Sequence, residues 1–194
     1  RVTDENIINI VESVLIDFNE DIVNSLKKHG TDAVSIHTKK NNVIKVTPES
    51  EELGFVGIPN KIDNDVIEKI LINNQVPIIS PLGLGVNNQS YNINGDTTAG
   101  AIAKSLKSRR LLLMTNVEGV LDKKKKLIEE ISSLEILQMI ENQTITEGMI
   151  PKINTCLDAV NNGVTAVGII DGRKQHSILF EIFSDKGSGT LIRK

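Results

Sequence analysis

The chain has 194 residues, of which 39% are hydrophobic and 24% charged, and its net charge is -3. This composition is typical of a globular protein with one good core, and it lacks the basic field that binding to nucleic-acid phosphates requires. No apolar run reaches membrane-spanning length, so neither a membrane span nor a signal peptide is predicted. The single cysteine, Cys156, fits a reducing compartment and is predicted to be a buried hydrophobic side chain.

The first half of the chain predicts one long helix followed by short strands. Thr3 and Asp4 can cap the helix and Gly30 can end it, and its apolar residues, spaced by three and four, predict a core-facing stripe of Ile7, Val11, Val14, Leu15, Phe18, Ile22, Val23 and Leu26. Strands are predicted at residues 33–36, 42–46 and 53–57. Asp63 is predicted to cap a helix that continues to Asn74, and the apolar segment "VPIIS" predicts the next strand.

The second half alternates helices and strands. Asp96 is predicted to cap a helix that runs to Ser108, and "RLLLMT" predicts an apolar strand after it. Helices are predicted at residues 133–142 and 151–162, followed by the strand "TAVGIID", the helix "HSILFEIF" and the strand "GTLI". The charged run "DKKKK" that begins at Asp122 predicts a solvated turn. Such alternation indicates parallel βαβ units, with ligands bound at the carboxyl ends of the strands.

The stretch "YNINGDTTAG" concentrates polar side chains just before a predicted helix. A plain helix cap would explain Asp96 by itself, because its carboxylate complements the positive end of the helix dipole. It would not explain Asn92 and Asn94. Residues two apart in an extended segment face the same side, so the three side chains are predicted to form one polar row.

Lys152 is predicted to lie in the first turn of a helix, where the helix dipole repels a cation. A solvent-exposed lysine tolerates that position. The alternative is a lysine aimed at a phosphate group, an arrangement that suits phosphoryl transfer. No dinucleotide fingerprint, Walker lysine motif or metalloprotease motif occurs in the sequence.

Five segments together resemble a known family. They are "RVTDENI", "YNINGDTTAGAIAKSL", "LLLMTNVEGVLD", "ITEGMIPKINTCLDAVNNGV" and "GIIDGRKQHSILFEIFSDKGSGTLI". In this order, over nearly all of the chain, they resemble the N-acetyl-L-glutamate kinases of the amino acid kinase family. The resemblance implies an α/β fold, a three-layer αβα sandwich with a mostly parallel central sheet. It also implies transfer of the γ-phosphate of ATP to the side-chain carboxylate of N-acetyl-L-glutamate in arginine biosynthesis, with Mg²⁺ bridging the nucleotide phosphates.

The resemblance assigns roles to individual residues. Lys152 matches the lysine that stabilises the transferring phosphoryl group, and Asp96 matches the aspartate that organises the catalytic lysines. Arg1 matches the arginine that binds the α-carboxylate of the substrate, and Asn92 the asparagine that holds acetylglutamate, with Asn94 a weaker candidate beside it. The nucleotide-binding segments match Asn116, Val117, Glu118, Gly119, Val120, Leu121, Thr144, Ile145 and Thr146.

The chain also departs from the family pattern. A phosphate-contacting lysine and a glycine-rich loop that precede the arginine matched by Arg1 are absent, so we expect the 194 residues to be a fragment that is inactive alone. Residues 1–90 would be the rest of the substrate-binding and dimerisation half, and residues 91–194 the nucleotide-binding half. The segment "SIHTKK" replaces the family's "GLSGKD", and Asn116 replaces a usual aspartate. The lost glycines put the conformation of that loop in doubt.

The resemblance also implies expectations about regulation, assembly and location. His176 and Glu181 match a segment that binds arginine in feedback-inhibited members, although a helix start and a solvated face would also explain them. The family forms homodimers or hexamers, and the PII signalling protein is a possible partner, whereas neither nucleic acid nor a membrane is expected. Heavy use of Asn, Ile and Lys together with "MIPKINTC" favours a plastid stroma (chloroplast) or bacterial cytoplasm.

Two other functions compete with this interpretation. The first is another amino acid kinase, such as an aspartate or glutamate 5-kinase, which fits "RVTD" and "YNIN" less well. The second is a non-catalytic amino-acid sensor of the same fold. The presence of both Asp96 and Lys152 argues against the sensor.

Overall fold

The computed structural model describes residues 2–145, 148–184 and 187–194. The chain divides into two compact units, Arg1–Thr98 and Ala99–Lys194. The boundary between the units lies inside one helix, α3 (Gly95–Ser105).

The first unit combines two helices with short strands. Its helices are α1 (Glu5–Lys28) and α2 (Asn64–Ile72), and its strands are β1 (Ala33–Ile36), β2 (Ile44–Pro48), β3 (Gly57–Ile62), β4 (Val76–Ile79), β5 (Leu82–Leu84) and β6 (Ser90–Asn92). Strands β1 and β4 pair in parallel. The other four are ordered β3-β2-β5-β6, with antiparallel pairs at both edges and a parallel pair in the middle.

Helix α1 has the predicted ends, but its buried face agrees only in part with the predicted one. The Asp4 carboxylate accepts a hydrogen bond from the Ile7 N–H (2.8 Å), and Gly30 follows the helix at a φ of 84°. The buried residues are Ile8, Glu12, Asn19 and Val23. The prediction of a buried apolar stripe was wrong for three of its members, which are exposed: Ile7, Val14 and Phe18.

Two boundaries in the first unit also differ from prediction. Residues 53–57 are not a strand, because Ser50 caps a short 3-10 turn, Glu51–Leu53, and Gly54 follows it at a φ of 66°. The strand begins at Gly57 instead and tolerates Pro59 because β3 lies at the edge of its sheet. Helix α2 ends at Ile72 rather than Asn74, because Asn74 takes the left-handed conformation at a φ of 57°.

The loop "SIHTKK" closes without glycine. The His37 N–H donates to the Lys40 carbonyl (2.9 Å), and the Lys40 N–H donates back to the His37 carbonyl (3.0 Å). Asn41 takes the left-handed conformation at a φ of 54°, which asparagine adopts more readily than most residues. In this loop Asn41 thus supplies a left-handed conformation that glycine adopts most easily.

The second unit contains a mixed sheet, most of α3, and helices that follow α3 in the chain. After α3 come β7 (Arg110–Thr115), β8 (Glu130–Ser132), α4 (Ser133–Glu141), α5 (Ile150–Asn161), β9 (Ala166–Asp171), α6 (Ser177–Phe183) and β10 (Gly189–Arg193). The sheet order among the described residues is β7-β9-β10-β8, and both outer pairs are parallel while β9 and β10 are antiparallel. The α/β class with parallel strand pairs is confirmed.

One apolar core organises the second unit. It includes residues from α4, α5, β7, β9 and β10, among them the completely buried Ile136, Ile153, Cys156, Val167, Ile169 and Ile192. The predicted burial of Cys156 is confirmed, and so is the solvated turn, in which the Asp122 carboxylate accepts from the N–H groups of Lys124 and Lys126 (2.8 Å each). Within the described ranges, no helix has the length and apolarity needed to cross a membrane.

Candidate functional site

In the first unit, a backbone ladder connects the start of the chain to Asn92. The Thr3 N–H donates to the Leu53 carbonyl (2.9 Å), and the Phe55 N–H donates to the Thr3 carbonyl (2.8 Å). The Asn92 N–H then donates to the Phe55 carbonyl (2.9 Å). The "RVTD" motif and Asn92 are thus fixed to the same short segment. Arg1, the predicted carboxylate ligand, lies outside the described residues.

The structure corrects the predicted cap of α3. The Asn94 side-chain oxygen accepts from the Thr97 N–H (3.1 Å), so Asn94 is the N-cap and the helix starts at Gly95. Asp96 instead lies half-buried inside the first helical turn. The predicted extended polar row therefore ends before Asp96, because β6 stops at Asn92 and the chain turns into the helix. Capping no longer accounts for Asp96.

Lys152 lies in the first turn of α5, as predicted. It is half-buried, and the next residue, Ile153, is completely buried in the core of the second unit. Pro151, the second residue of the helix, has a backbone angle that suits its first turn. Helix α5 also packs closely on the Ala99–Ser105 part of α3, since a Cβ on Gly100 would come within 3.0 Å of the Thr155 methyl carbon. The backbone at Lys152 is therefore positioned by the packing of Ile153 in the core and of α5 on α3.

The predicted nucleotide segment after β7 combines exposed polar residues with one buried valine that fixes it to the core. Asn116 and Glu118 are exposed, whereas Val120 is buried. The Val120 N–H donates to the Thr190 hydroxyl (2.8 Å), which donates in turn to the Ile128 carbonyl (2.7 Å). The segment is thereby fixed to β10 while its polar side chains face solvent.

The second predicted nucleotide segment follows α4 and uses the same core. Ile145 is buried in the cluster that also contains Val120 and Ile153. Thr144 contacts the Asn142 side chain through its hydroxyl and its N–H. Thr146 lies outside the described residues. One core thus anchors both nucleotide segments and the helix that carries Lys152.

Sequence reasoning missed an ion pair at the end of β9. The Arg173 Nε and Nη2 atoms donate to the two Asp171 carboxylate oxygens, each at 2.9 Å. The hydrogen bonds from Arg173 lower the pKa of Asp171 from 3.8 to about 2. Because Asp171 pairs with Thr115 at the end of β7, this pair lies at the same sheet edge as Asn116. The letters "DGR" directly after a buried strand were the signal for it.

The two predicted effector residues line adjoining hollows. The buried Glu181 carboxylate accepts from the Ser188 N–H (2.9 Å) and lies 3.8 Å from Arg110 Nη1, in a cleft of about 290 Å³. His176, which precedes α6 at a φ of 59°, lines a second hollow with Leu179, Phe180 and Phe183. Ser184 borders both hollows. Glu181 therefore also has a structural role, because it ties the segment before β10 to α6.

The described residues contain no group of three or more His, Cys, Asp or Glu side chains that could hold a metal ion.

The second unit has an α/β fold in which Lys152 lies in the first turn of a helix and a polar segment follows the end of β7. This arrangement suits phosphoryl transfer, which depends on positive charge and positioning. The chain belongs to the amino acid kinase family, whose model matches residues 2–171.

Similar proteins make the comparison more specific. A protein of Pelagibacter ubique named acetylglutamate kinase is 56% identical over 194 residues, which cover all of this chain and 67% of that protein. An acetylglutamate kinase of Methylobacterium nodulans is 43% identical over 208 residues and is covered to 68%. The chain thus spans about two thirds of the length of these relatives.

Solved structures share the fold. The crystal structure of smu.665 from Streptococcus mutans is 32% identical, with a TM-score of 0.83 over all of this chain and 74% of that one. N-acetylglutamate synthase from Neisseria gonorrhoeae gives a TM-score of 0.91 at 23% identity, over all of this chain and 45% of that one. At that identity the second likeness supports the fold alone. The expected amino acid kinase fold is confirmed.

Proposed function

We propose that this chain is the larger part of an acetylglutamate kinase, which transfers the γ-phosphoryl group of ATP to the side-chain carboxylate of N-acetyl-L-glutamate. The observation that carries the proposal is the 56% identity over the whole chain with the Pelagibacter ubique protein of that name. The non-catalytic sensor is not favoured, because the relatives are named as kinases and the chain keeps Asp96 and Lys152.

The chemistry needs charge neutralisation more than a general base. The attacking carboxylate has an ordinary pKa of about 4.3, so it is already ionised at neutral pH. Arg1, Asn92 and Asn94 would hold the acetylated substrate, with Asn94 acting mainly through its cap. Lys152 would neutralise charge on the transferring phosphoryl group while Asp96 orients the lysine. Mg²⁺ would arrive bound to the phosphates of ATP and reduce their repulsion of the substrate.

The test is a coupled assay of ADP release, made on the product of the complete gene. We expect turnover with N-acetyl-L-glutamate and almost none with glutamate. Lys152→Ala should lower kcat by about 100-fold or more, as the loss of a charge that stabilises a transition state does. Lys123→Ala, in the exposed turn after β7, is the matched control and should leave kcat unchanged. Equal rates with both acceptors, or full activity of Lys152→Ala, would contradict the proposal.

We further propose that arginine binds at the cleft beside Glu181. Three carboxylates line that cleft, from Glu129, Glu130 and Glu181. Glu130 and Glu181 already pair there with the guanidinium groups of Arg193 and Arg110, and a guanidinium group is the cation that carboxylates bind in bidentate fashion. His176 would contact the same ligand from the adjoining hollow. Arginine at millimolar concentration should then reduce turnover of the complete protein. Unchanged activity would remove this part of the proposal.

A homodimer would explain the outer face of α1. Ile7, Ile10, Val14 and Phe18 are exposed at helical spacing, with Phe18 61% exposed, while the inner face of the helix buries polar residues. We propose that a second copy of the chain covers this face. Phe18→Glu should convert the dimer to a monomer in sedimentation experiments, and a wild-type monomer would contradict the proposal.

Hexamers, control by PII and a plastid location stay predictions of the resemblance. The relatives named above are bacterial, which favours a bacterial source.

A further inference from the structure

Helix α1 turns a carboxylate inward. Glu12 is only 9% exposed, and it lies on the same helix face as Ile8, Asn19 and Val23. A buried carboxylate is costly unless donors surround it. Glu12 has three of them, from two separate parts of the first unit.

Two of the donors come from the loop that follows β1. The Thr38 hydroxyl donates to Glu12 Oε1 (2.5 Å), and Lys39 Nζ lies 3.3 Å from Oε2. The third donor is the Ser90 hydroxyl, which also reaches Oε1 (2.5 Å). Ser90 is the first residue of β6, and Asn92 is the last. A single carboxylate thus connects α1, the loop and the strand that presents Asn92.

The charge state of Glu12 fits this role. Burial by itself raises the pKa of Glu12, but the hydrogen bonds from Ser90, Thr38 and Lys39 outweigh burial and lower it. The group is therefore an ionised acceptor at neutral pH, and its hydrogen bonds are of the stronger, charge-assisted kind.

The other end of β6 is held by backbone hydrogen bonds of Asn92 and by the ring contact of Tyr91 with Phe55 (centroids 5.8 Å apart). The Asn92 N–H donates to the Phe55 carbonyl, and Asn92 pairs with Leu82 across the sheet. With only three residues, β6 has few ladder hydrogen bonds of its own. The hydrogen bond from the Ser90 hydroxyl to Glu12 connects this strand to α1.

We infer that Glu12 is a positioning residue for the acceptor substrate, which sets the place of Asn92 by holding Ser90. The inference rests on the proposed function, since Asn92 is assigned there to the binding of N-acetyl-L-glutamate. Glu12 itself touches neither substrate nor nucleotide in this scheme. Its loss should change the KM for the acceptor more than the KM for ATP.

The experiment compares four variants of the complete gene product. Glu12→Gln and Ser90→Ala each weaken the contact with β6, and both should raise the KM for N-acetyl-L-glutamate about fivefold, with the KM for ATP unchanged. Thr38→Ala removes a hydroxyl from the same carboxylate oxygen without touching β6, so it should leave the acceptor KM near that of the wild type. Glu20→Gln, which loses a contact between α1 and Lys40, is a second control.

The double variant Glu12→Gln with Ser90→Ala should raise the KM no further than either single change, because both break one contact. Additive effects, or equal changes in both KM values, would overturn the inference.

A second readout does not depend on activity. Amide hydrogen exchange at residues 90–92 should become faster in Glu12→Gln and Ser90→Ala, and should stay unchanged in Thr38→Ala. If the wild type lacks kinase activity, the proposed function fails, and this exchange pattern alone decides the positioning role. Equal exchange in all variants would overturn it.

Discussion

Gly119 shows how tightly a single residue can be constrained in the first predicted nucleotide segment. Its φ is 147°, and an added Cβ would lie 2.4 Å from the Thr190 hydroxyl oxygen and 2.7 Å from a Leu127 methyl carbon. The Thr190 hydroxyl cannot move away freely, because it joins Val120 to Ile128. We expect Gly119→Ala to lower the free energy of unfolding by about 2 kcal/mol. Urea denaturation measures this change.

Gly148→Ala is the matched control for that prediction. Among the described residues, no atom lies within 4 Å of a Cβ placed on Gly148, and the φ of Gly148 is not in the left-handed region. Its effect on unfolding should stay within about 0.5 kcal/mol. If both variants unfold at the same urea concentration, the constraint at Gly119 is not real. A raised KM for ATP in Gly119→Ala alone would connect the constraint to nucleotide binding.

Asp171 makes acid stability depend on one side chain. Its pKa falls from 3.8 to about 2 because Arg173 donates to both carboxylate oxygens. A lowered pKa means that the folded state gains stability from the ionised group above pH 3.8, and this gain is lost as the pH falls toward 2. The wild type should therefore be more stable than Asp171→Asn at neutral pH, and the difference should shrink below pH 4. Denaturation at several pH values tests this, and a difference independent of pH would contradict it.

Helix α3 begins with two polar residues that we expect to do different work. Asn94 supplies the cap, so Asn94→Ala should lower the free energy of unfolding by about 1 kcal/mol. Asn94→Asp should keep most of the stability that the cap contributes, because aspartate also caps helices. Asp96 does not cap the helix, so Asp96→Ala should remove turnover with a smaller effect on unfolding. Thermal unfolding and the ADP-release assay, made on the same preparations, separate the two roles. Loss of turnover in Asn94→Ala without loss of stability would reverse them.

The ends of α1 could be predicted from sequence, but its buried face could not. An aspartate cap and a closing glycine are local signals, and both lie where they were expected. The face depends on partners far along the chain. Glu12 and Asn19 are buried because Ser90, Thr38, Ser35 and the Ile78 carbonyl satisfy them, and periodicity alone ranks these positions as solvent-facing.

The same limit applies to the shortest strands and to the site. Strands β5, β6 and β8 have three residues each, too few to show an alternating pattern. The roles of the nucleotide segments and of Lys152 stay predictions of the resemblance, which rests on contiguous letters. The contact of Glu12 with Ser90 joins residues 78 positions apart, and the pairing of Asp171 with Thr115 joins two strands that are far apart in the sequence. No local pattern contains these relations.

At the scale of the whole molecule, the proposed binding residues divide between the two compact units. The acceptor candidates Arg1 and Asn92 belong to the first unit, and the nucleotide segments and Lys152 belong to the second. Each ligand should therefore slow amide exchange mainly in its own unit, because a ligand stabilises the elements that it contacts. N-acetyl-L-glutamate should protect residues 53–56 and 90–92, whereas a non-hydrolysable ATP analogue should protect residues 116–121 and the start of α5.

Exchange measured by mass spectrometry on the complete gene product, with each ligand alone, checks this division. Glutamate is the control ligand for the first unit and should give little protection, since the acetyl group is missing. Protection of residues 116–121 by N-acetyl-L-glutamate alone would contradict the assignment of acceptor binding to the first unit. Protection of residues 90–92 by both ligands would show that nucleotide binding is transmitted to β6, and the contact between Glu12 and Ser90 would then be the first place to interrupt it.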